Sequence, residues 1–497
     1  MKKAFDSHPP VLRIPEQLPG TGILVGWSLE EEHRRRPIGF SFGDAAKSPR
    51  TGYIDPVLFE GDGHLITIAP TGAGKGVSCL IPALLRYSGP VIVIDPKGEN
   101  MAVTARRRRE LGDKVFVLDP MGITDSEGDR LNPLDLIDPE SDTGVDDAFS
   151  LAQSIFPDTK EVRDGFWRNR ALQLMAGIIL HIVTDLNRSE RSLATLRKLV
   201  LSTAGNAAAL VSALKDSRHP EANMIVNNLA IGAPETLGGI LAFAQEGVDF
   251  IRGPLVQKAT KDSTIDLNAV TSGDPLSIFV VLPPHMLESH GRLLRLWIGC
   301  LMTAITRRRR RPKRSTLFLL DEAAQLGPLA SLRQAITLLR GYGLQTWSFW
   351  QDASQLRNLY PYDWPTMLNN SQVIQCFGAN NMLAANEMAE LVGFGDGKTV
   401  LDLTADEMLL QIGGDEAVLA KRPDYRSDAP FRELFDQNPY FDALRTPFSP
   451  PKSTIQMYLR DPPRRNSEVQ IVSDADLEEN VEDRTLFERI RSAKRKV

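Results

Sequence analysis

The chain has 497 residues, 42% of them hydrophobic and 24% charged, with a formal net charge of -5. That length exceeds one comfortable core and predicts two or three domains of ordinary soluble composition. The slightly acidic balance excludes a whole-chain attraction to nucleic acid, so any polyanion site must be a local patch. Cys79, Cys300 and Cys376 lie far apart in apolar contexts. They exclude a disulfide framework or a Cys-rich zinc site and read as core residues in a reducing compartment.

The first twenty residues, MKKAFDSHPPVLRIPEQLPG, have two lysines but no apolar run behind them, so they do not form a signal peptide. Residues 1–60 are rich in Pro and Gly and predict a loose lead-in with a small strand pair. From Leu65 strand and helix signals alternate. LITIAP runs into a Gly-rich turn, VSCLIPALLRY follows as a helix, and PVIVIDPKGE and KVFVLDP are further β-branched runs. Buried strands separated by helices predict a parallel sheet covered on both faces. From about Asp146 to Ser263 the pattern turns helical, and strands resume at PLSIFVVLPP, STLFLLDEAAQLG, LQTWSFWQD and SQVIQCFGAN. A helical block set inside an α/β domain is the simplest organisation, with three consecutive domains as the alternative. The apolar stretches Ala171–Val183 and Leu293–Ile305 fall short of the roughly 20 residues of a membrane span and read as buried helices. Beyond Pro447 a Pro-, Ser- and charge-rich segment reads as a solvated tail or a partner-binding one.

Two motifs carry chemistry. IAPTGAGKGVS, Ile68 to Ser78, nearly matches a phosphate-binding loop. A strand entering a Gly-rich turn and then a helix aims several backbone N–H groups and a helix N-terminus at one point, and Lys75 would reach the β- and γ-phosphates. The cradle would be Pro70, Thr71, Gly72, Ala73, Gly74, Lys75, Gly76 and Val77. The loop departs from the usual pattern twice. Ala69 replaces the first Gly, a mild change, and Gly76 replaces the Ser or Thr whose hydroxyl completes the shell of Mg²⁺; Ser78 is the next hydroxyl. Alone, the stretch also fits a structural glycine turn. The second motif, STLFLLDEAAQLG, ends a strand in Asp321-Glu322. Asp321 at the end of a neighbouring parallel strand would hold Mg²⁺ or its water, and Glu322 would polarise the water attacking the γ-phosphate. Asp-Glu at this place also fits a simple helix cap.

With both motifs in view, the chain resembles the type IV coupling proteins, the ring ATPases of conjugation and type IV secretion. The matching segments are GHLITIAPTGAGKGVSCLIPALL, VIVIDPKGE, LNPLDLI, DGFWRNRA, IFVVLPP, LFLLDEAAQLG and ANEMAELVGF, in the family's order from about Gly61 to Phe435. The resemblance implies a RecA-like P-loop motor domain of α/β class with an inserted all-α domain. The expected layout is a lead-in over 1–60, motor parts over 61–145 and 264–446, the all-α domain over 146–263, and a charged tail over 447–497. Some family members also have Gly directly after the loop Lys. The resemblance further implies ATP and Mg²⁺, a hexameric ring, and an arginine finger at Arg340 serving the neighbouring subunit. It places a γ-phosphate sensor at Gln351 and DNA, a relaxase or an effector as cargo. Arg340 also fits a plain helix-end arginine. Asp95, Lys97 and Glu99 would lie near the nucleotide.

Two basic runs, Ala105–Gly112 and Thr306–Ser315, predict a solvated helix end and an exposed loop, either of which could touch phosphate backbones. Typical family members begin with transmembrane helices, and none is legible here. The expectation is a cytoplasmic chain that docks at the inner membrane and its secretion channel through a partner, or one that does a related cytoplasmic job. Two rival functions remain at this point: a soluble DNA-processing translocase of the same superfamily, and a nucleotide-binding cargo-docking adaptor with little turnover.

Overall fold

The computed structural model describes residues 14–28, 55–156, 165–230 and 234–440; most of the lead-in and the whole of the segment 447–497 lie outside the described residues. The strands are β1 (Ile23–Ser28), β2 (Pro56–Phe59), β3 (His64–Ile68), β4 (Val91–Ile94), β5 (Lys114–Leu118), β6 (Leu276–Val280), β7 (Thr316–Leu320), β8 (Leu344–Trp350), β9 (Ser371–Phe377), β10 (Glu407–Ile412) and β11 (Val418–Lys421). They form one sheet in the order β2-β1-β11-β10-β9-β3-β8-β7-β4-β6-β5. All seven apolar runs read from the sequence lie in its parallel part, from β9 to β5. Within it β3, β4, β6, β7 and β8 are buried at every residue. Continuous burial explains why these strands are apolar runs rather than alternating ones.

The other four strands pair antiparallel at the β9 edge. The small N-terminal strand pair is therefore not a separate lead-in: β1 pairs with β11 as well as with β2, and Ile23 and Val25 join the core around Leu65.

Helix α1 (Ile81–Arg86) follows the Gly-rich loop, and α2 (Glu99–Glu110) links β4 to β5. Gly76–Leu80 forms a π-helical turn ahead of α1. Pro82 has no N–H to give the carbonyl of Ser78 and its ring crowds that carbonyl, so the turn opens; such single π-turns recur at functional sites.

Between β5 and β6 every described element is helical: α3 (Gly144–Ile155), α4 (Gly165–Asp185), α5 (Leu193–Lys215), α6 (Pro220–Ala230), α7 (Pro234–Val248), α8 (Pro254–Ala259) and α9 (Leu267–Ser272), apart from short 3-10 turns. Helix α4 is the axis of the block. Its second half is buried almost all round, which is why its sequence is nearly long enough to look like a membrane span. No helix among the described residues is long and apolar enough to cross a membrane. After β6, α10 (Leu287–Thr306) crosses back to β7, and α11 (Ala330–Leu338) precedes β8. Alternation sorts the strand residues between two cores: Ile66, Ile68, Ile92 and Ile94 pack with the helical block and α10, whereas Leu65, Val91, Val93 and Leu317 pack with α1. The three cysteines are buried, and burial pushes each thiol upward, so they are inert core residues.

The two basic runs are less solvated than their composition predicts. Arg108 is fully buried and donates to Leu84 O (3.2 Å), Gly89 O (2.7 Å), Tyr87 O, Ser277 Oγ (2.8 Å) and Asp113 Oδ2 (2.5 Å). Arg106 and Arg107 bind Glu110, and Arg106 also binds Asp436. In the second run Arg308 is buried without a carboxylate. It donates to the carbonyls of Val270, Thr271, Tyr342 and Gly343 and to Thr316 Oγ1, at 2.7 to 3.2 Å, and burial lowers its guanidinium to about 10. One arginine from each run thus satisfies the carbonyls left over where turns enter the N-terminal ends of the strands.

Candidate nucleotide-binding site

The phosphate-type loop grows directly from the buried strand β3. Its entrance is fixed by Ala69 N–H donating to Trp350 O on β8 (2.9 Å), and the turn closes through Ala73 N–H on Pro70 O (3.1 Å). Gly72 and Gly74 have φ of +79° and +85°, the left-handed region where a side chain is strained, so these two glycines set the loop's course. Thr71 and Gly72 are exposed at the rim. Lys75 already has helical dihedrals, and its Nζ folds back to 3.4 Å from Ala69 O. Val77 packs sideways against the cluster around Ile81 and Leu85. Ser78 is buried, with its N–H on Gly74 O (2.9 Å). At Gly76 an added Cβ would meet nothing within 4 Å. The absence of a hydroxyl there has no steric cause.

Asp321 leaves the C-terminal end of β7. The strand next to β3 is β8, not β7, so the expected neighbouring strand lies one place further away. Sheet order cannot be read from chain order, and the crossover through α11 inserts β8 between the two motifs. Gln351 follows the last residue of that inserted strand, half-buried, with its N–H on Gln355 Oε1 (3.0 Å). Burial pushes the Asp321 carboxyl up to about 6; Lys75 and Lys97 oppose the rise, and Glu322 and Glu99 add to it. On the next strand, burial pushes Asp95 up to about 7, with Asp321 contributing, although Asp95 also accepts from Met101 N–H (2.8 Å) and Asn100 Nδ2 (3.2 Å) at the start of α2. Glu322 has φ +54°, a left-handed conformation rare for a side-chain-bearing residue, and accepts from the Gln325 amide. Strain of this kind typically costs 1–3 kcal/mol and gathers at functional sites. Asp95, Lys97, Glu99, Asp321 and Glu322 line a small cavity of about 170 Å³.

The structure thus gathers the loop, Lys75, Ser78, Asp321, Glu322 and Gln351 at the C-terminal edge of the sheet, together with Asp95, Lys97 and Glu99. It does not bring Arg340 there. Arg340 sits in the turn before β8, with Nε and Nη2 on Asp62 Oδ1 (2.9 and 2.6 Å), while Arg311 takes Oδ2 (2.7 Å). These cations hold the Asp62 carboxyl down at about 2. The seven residues of β8 separate Arg340 from its own loop by about 20 Å. Sequence reading also missed Arg422, which follows β11 and donates from Nη1 to Ala73 O (2.5 Å), with its guanidinium 4.6 Å from the Phe377 ring centroid. Nothing local marks it, because the contact exists only once β10 and β11 have joined the sheet.

Four acidic side chains and one lysine, Lys97, line the cavity, an anionic excess suited to a cation. Among the described residues no group of three or more His, Cys, Asp or Glu is arranged to hold a metal ion. Mg²⁺ is commonly held by one or two carboxylates together with substrate phosphates and water.

A mostly parallel sheet with a glycine loop after one strand, acidic residues after a strand two places away and a helical insertion define a RecA-like P-loop motor domain carrying an all-α domain. Residues 36–401 match the model of the family described as Type IV secretory system Conjugative DNA transfer, and the chain belongs to that family. It is 31% identical over 327 residues to the conjugal transfer protein TraG of Agrobacterium fabrum, covering 64% of this chain and 48% of that one. To protein VirD4 of the same organism it is 27% identical over 301 residues, covering 60% and 44%. The chain thus spans about half the length of these curated relatives. Its fold is similar to that of the plasmid coupling protein TrwB in complex with a non-hydrolysable GTP analogue, with a TM-score of 0.57 at 19% identity over 75% of this chain and 88% of that one. TrwB has also been solved in complex with ADP and Mg²⁺, with a TM-score of 0.57 at 18% identity over 75% of this chain and 88% of that one.

Proposed function

We propose that the chain is the ATP-hydrolysing motor of a hexameric ring that drives DNA or a relaxase–DNA cargo toward a type IV secretion channel. The observation that carries this reading is the convergence of Lys75, Asp321, Glu322 and Gln351 around one strand edge, in a chain of the conjugative DNA transfer family. The loop N–H groups and Lys75 bind the β- and γ-phosphates. Asp321 would hold Mg²⁺, with Ser78 as the available hydroxyl; when bound, the ion would neutralise phosphate charge. Glu322, which lines the cavity from a left-handed backbone position, orients the attacking water and takes its proton. Gln351, between the loop and the acidic strand, relays the state of the γ-phosphate along β8. Arg340, at the far end of that strand and paired with Asp62, is out of reach of its own loop and would serve a neighbouring subunit's nucleotide, which would tie turnover to assembly.

The test compares ATP turnover of the wild type and Glu322→Gln, each with and without DNA. Loss of a general base lowers kcat about 10²–10⁴-fold while nucleotide binding persists. DNA should accelerate the wild type. Equal turnover by the two proteins would sink the motor reading.

A further inference from the structure

We infer that the loop Arg309–Lys313, on the sheet edge opposite the nucleotide, is a contact surface for a nucleic-acid phosphate backbone. This rests on the reading that the chain handles DNA and assigns that task a place. The run from Thr306 to Ser315 contains seven cations, and the structure divides them. Arg307 binds Asp147 (2.5 Å) and Leu136 O (2.8 Å), and Arg308 is buried on carbonyls. Arg311 pairs with Asp62, and Arg314 donates to Thr21 Oγ1. Arg309, Arg310 and Lys313 are exposed, and among the described residues none has a hydrogen-bond or ion-pair partner.

The backbone beneath these three is held firmly. Arg308 anchors it on one side, Thr316 begins β7 on the other, and Pro312 packs so tightly on Gly273 and Gly343 that a Cβ on either glycine would come within 2.5 and 2.7 Å of its ring. Three free cations on a fixed turn make a preorganised site, because less backbone must be ordered on binding. Arg109 and Lys114 are also exposed and unpartnered among the described residues, at the same N-terminal edge beside β5. The strand order puts β5 three strand spacings from β7, about 15 Å, a span of about four base-pair rises along a duplex axis. Apart from Pro312 the loop carries no apolar side chain. That suits a continuous line of negative charge better than a protein interface, whose centre depends on aromatic and aliphatic anchors.

The test measures binding of the full chain to a fluorescent duplex and to a single-stranded oligonucleotide as a function of KCl. Each phosphate contact contributes about 0.7–0.9 to the slope of log K against log salt, so R309Q/R310Q/K313Q should lower that slope by about 2–3. R310Q alone should lower it by slightly less than 1. An unchanged unfolding midpoint verifies that the triple variant is folded. Wild-type binding with an undiminished slope in the folded variant overturns the surface and leaves the DNA reading standing. Failure of the wild type to bind either nucleic acid overturns both. Loss of binding to phosphatidylserine vesicles with DNA binding intact also overturns it, since the loop would then face a membrane.

Discussion

The two edges of the parallel sheet handle buried charge in opposite ways. At the N-terminal edge the buried arginines have their donors occupied: Arg108 by three carbonyls, a hydroxyl and a carboxylate, Arg308 by four carbonyls and a hydroxyl. At the C-terminal edge burial pushes Asp95 and Asp321 upward, they repel one another, and Glu322 is held in a left-handed conformation. The same fold therefore contains one edge whose buried charges hold it together and one whose buried charges await a ligand. Satisfied charges stabilise and unsatisfied ones are left available for binding and turnover.

The sharpest way to break this comparison is to remove a charge from each edge and measure stability. Arg108→Ala leaves the Asp113 carboxylate buried beside Ser277 and three carbonyls without their donor. Breaking a buried pair from one side costs about 3–5 kcal/mol. Urea unfolding should show a loss of that size. A loss under 1 kcal/mol would mean that the arginine is no structural clamp and that the contrast between the edges is false.

Asp321→Asn should act in the opposite direction, and only at high pH. In the folded protein the Asp321 carboxyl titrates near 6, above its ordinary value of 3.8, so between these values the folded state binds more protons than the unfolded one. Stability in metal-free buffer therefore falls as pH rises from about 4 through 6, and the penalty is complete above that range. Replacing the carboxylate should raise stability by about 1–3 kcal/mol at pH 8 and leave it nearly unchanged near pH 4. The readout is the difference in unfolding free energy between variant and wild type at the two pH values, with EDTA present. A gain at both pH values, or at neither, would contradict the assignment of the penalty to the buried charge. Asp95 is a poorer choice because its carboxylate also caps α2 through Met101 N–H.

The contrast between the edges was only half legible in the sequence. The seven parallel strands could be read because burial on both faces forces continuous apolar runs, and the acidic motif could be read because it ends one of them. Of the antiparallel extension only the β1–β2 pair was legible: β10 and β11 are six and four residues long, with mixed burial, and gain their partners only in the folded sheet. Arg422 went with them, since its bond to Ala73 spans 349 residues. The buried arginines were hidden for a related reason. A run of arginines looks solvated by composition, and only the carbonyls left unpaired at turns and strand ends decide which member is drawn inside. The place of β8 between the two motifs is likewise set by crossover topology, not by any local pattern.

The smallest expected effect concerns Gly76, where the loop departs most from the usual phosphate-binding pattern. A Cβ there meets no atom within 4 Å, so Gly76→Thr should fold without a steric penalty. Near a helix start glycine is a poor former relative to threonine by only a few tenths of a kcal/mol, so the unfolding midpoint should barely move. The change should appear elsewhere. If Asp321 and water suffice for Mg²⁺ in the wild type, an added hydroxyl supplies a further oxygen and should lower the Mg²⁺ concentration needed for half-maximal ATP turnover by about two- to fivefold, an effect of at most about 1 kcal/mol. If Ser78 already fills that place, the titration should stay where it is, and Ser78→Ala should shift it instead. A rightward shift in Gly76→Thr would show that the open space beside Lys75 belongs to the nucleotide rather than to the metal shell, and would remove the basis for treating the glycine as a tolerated substitution.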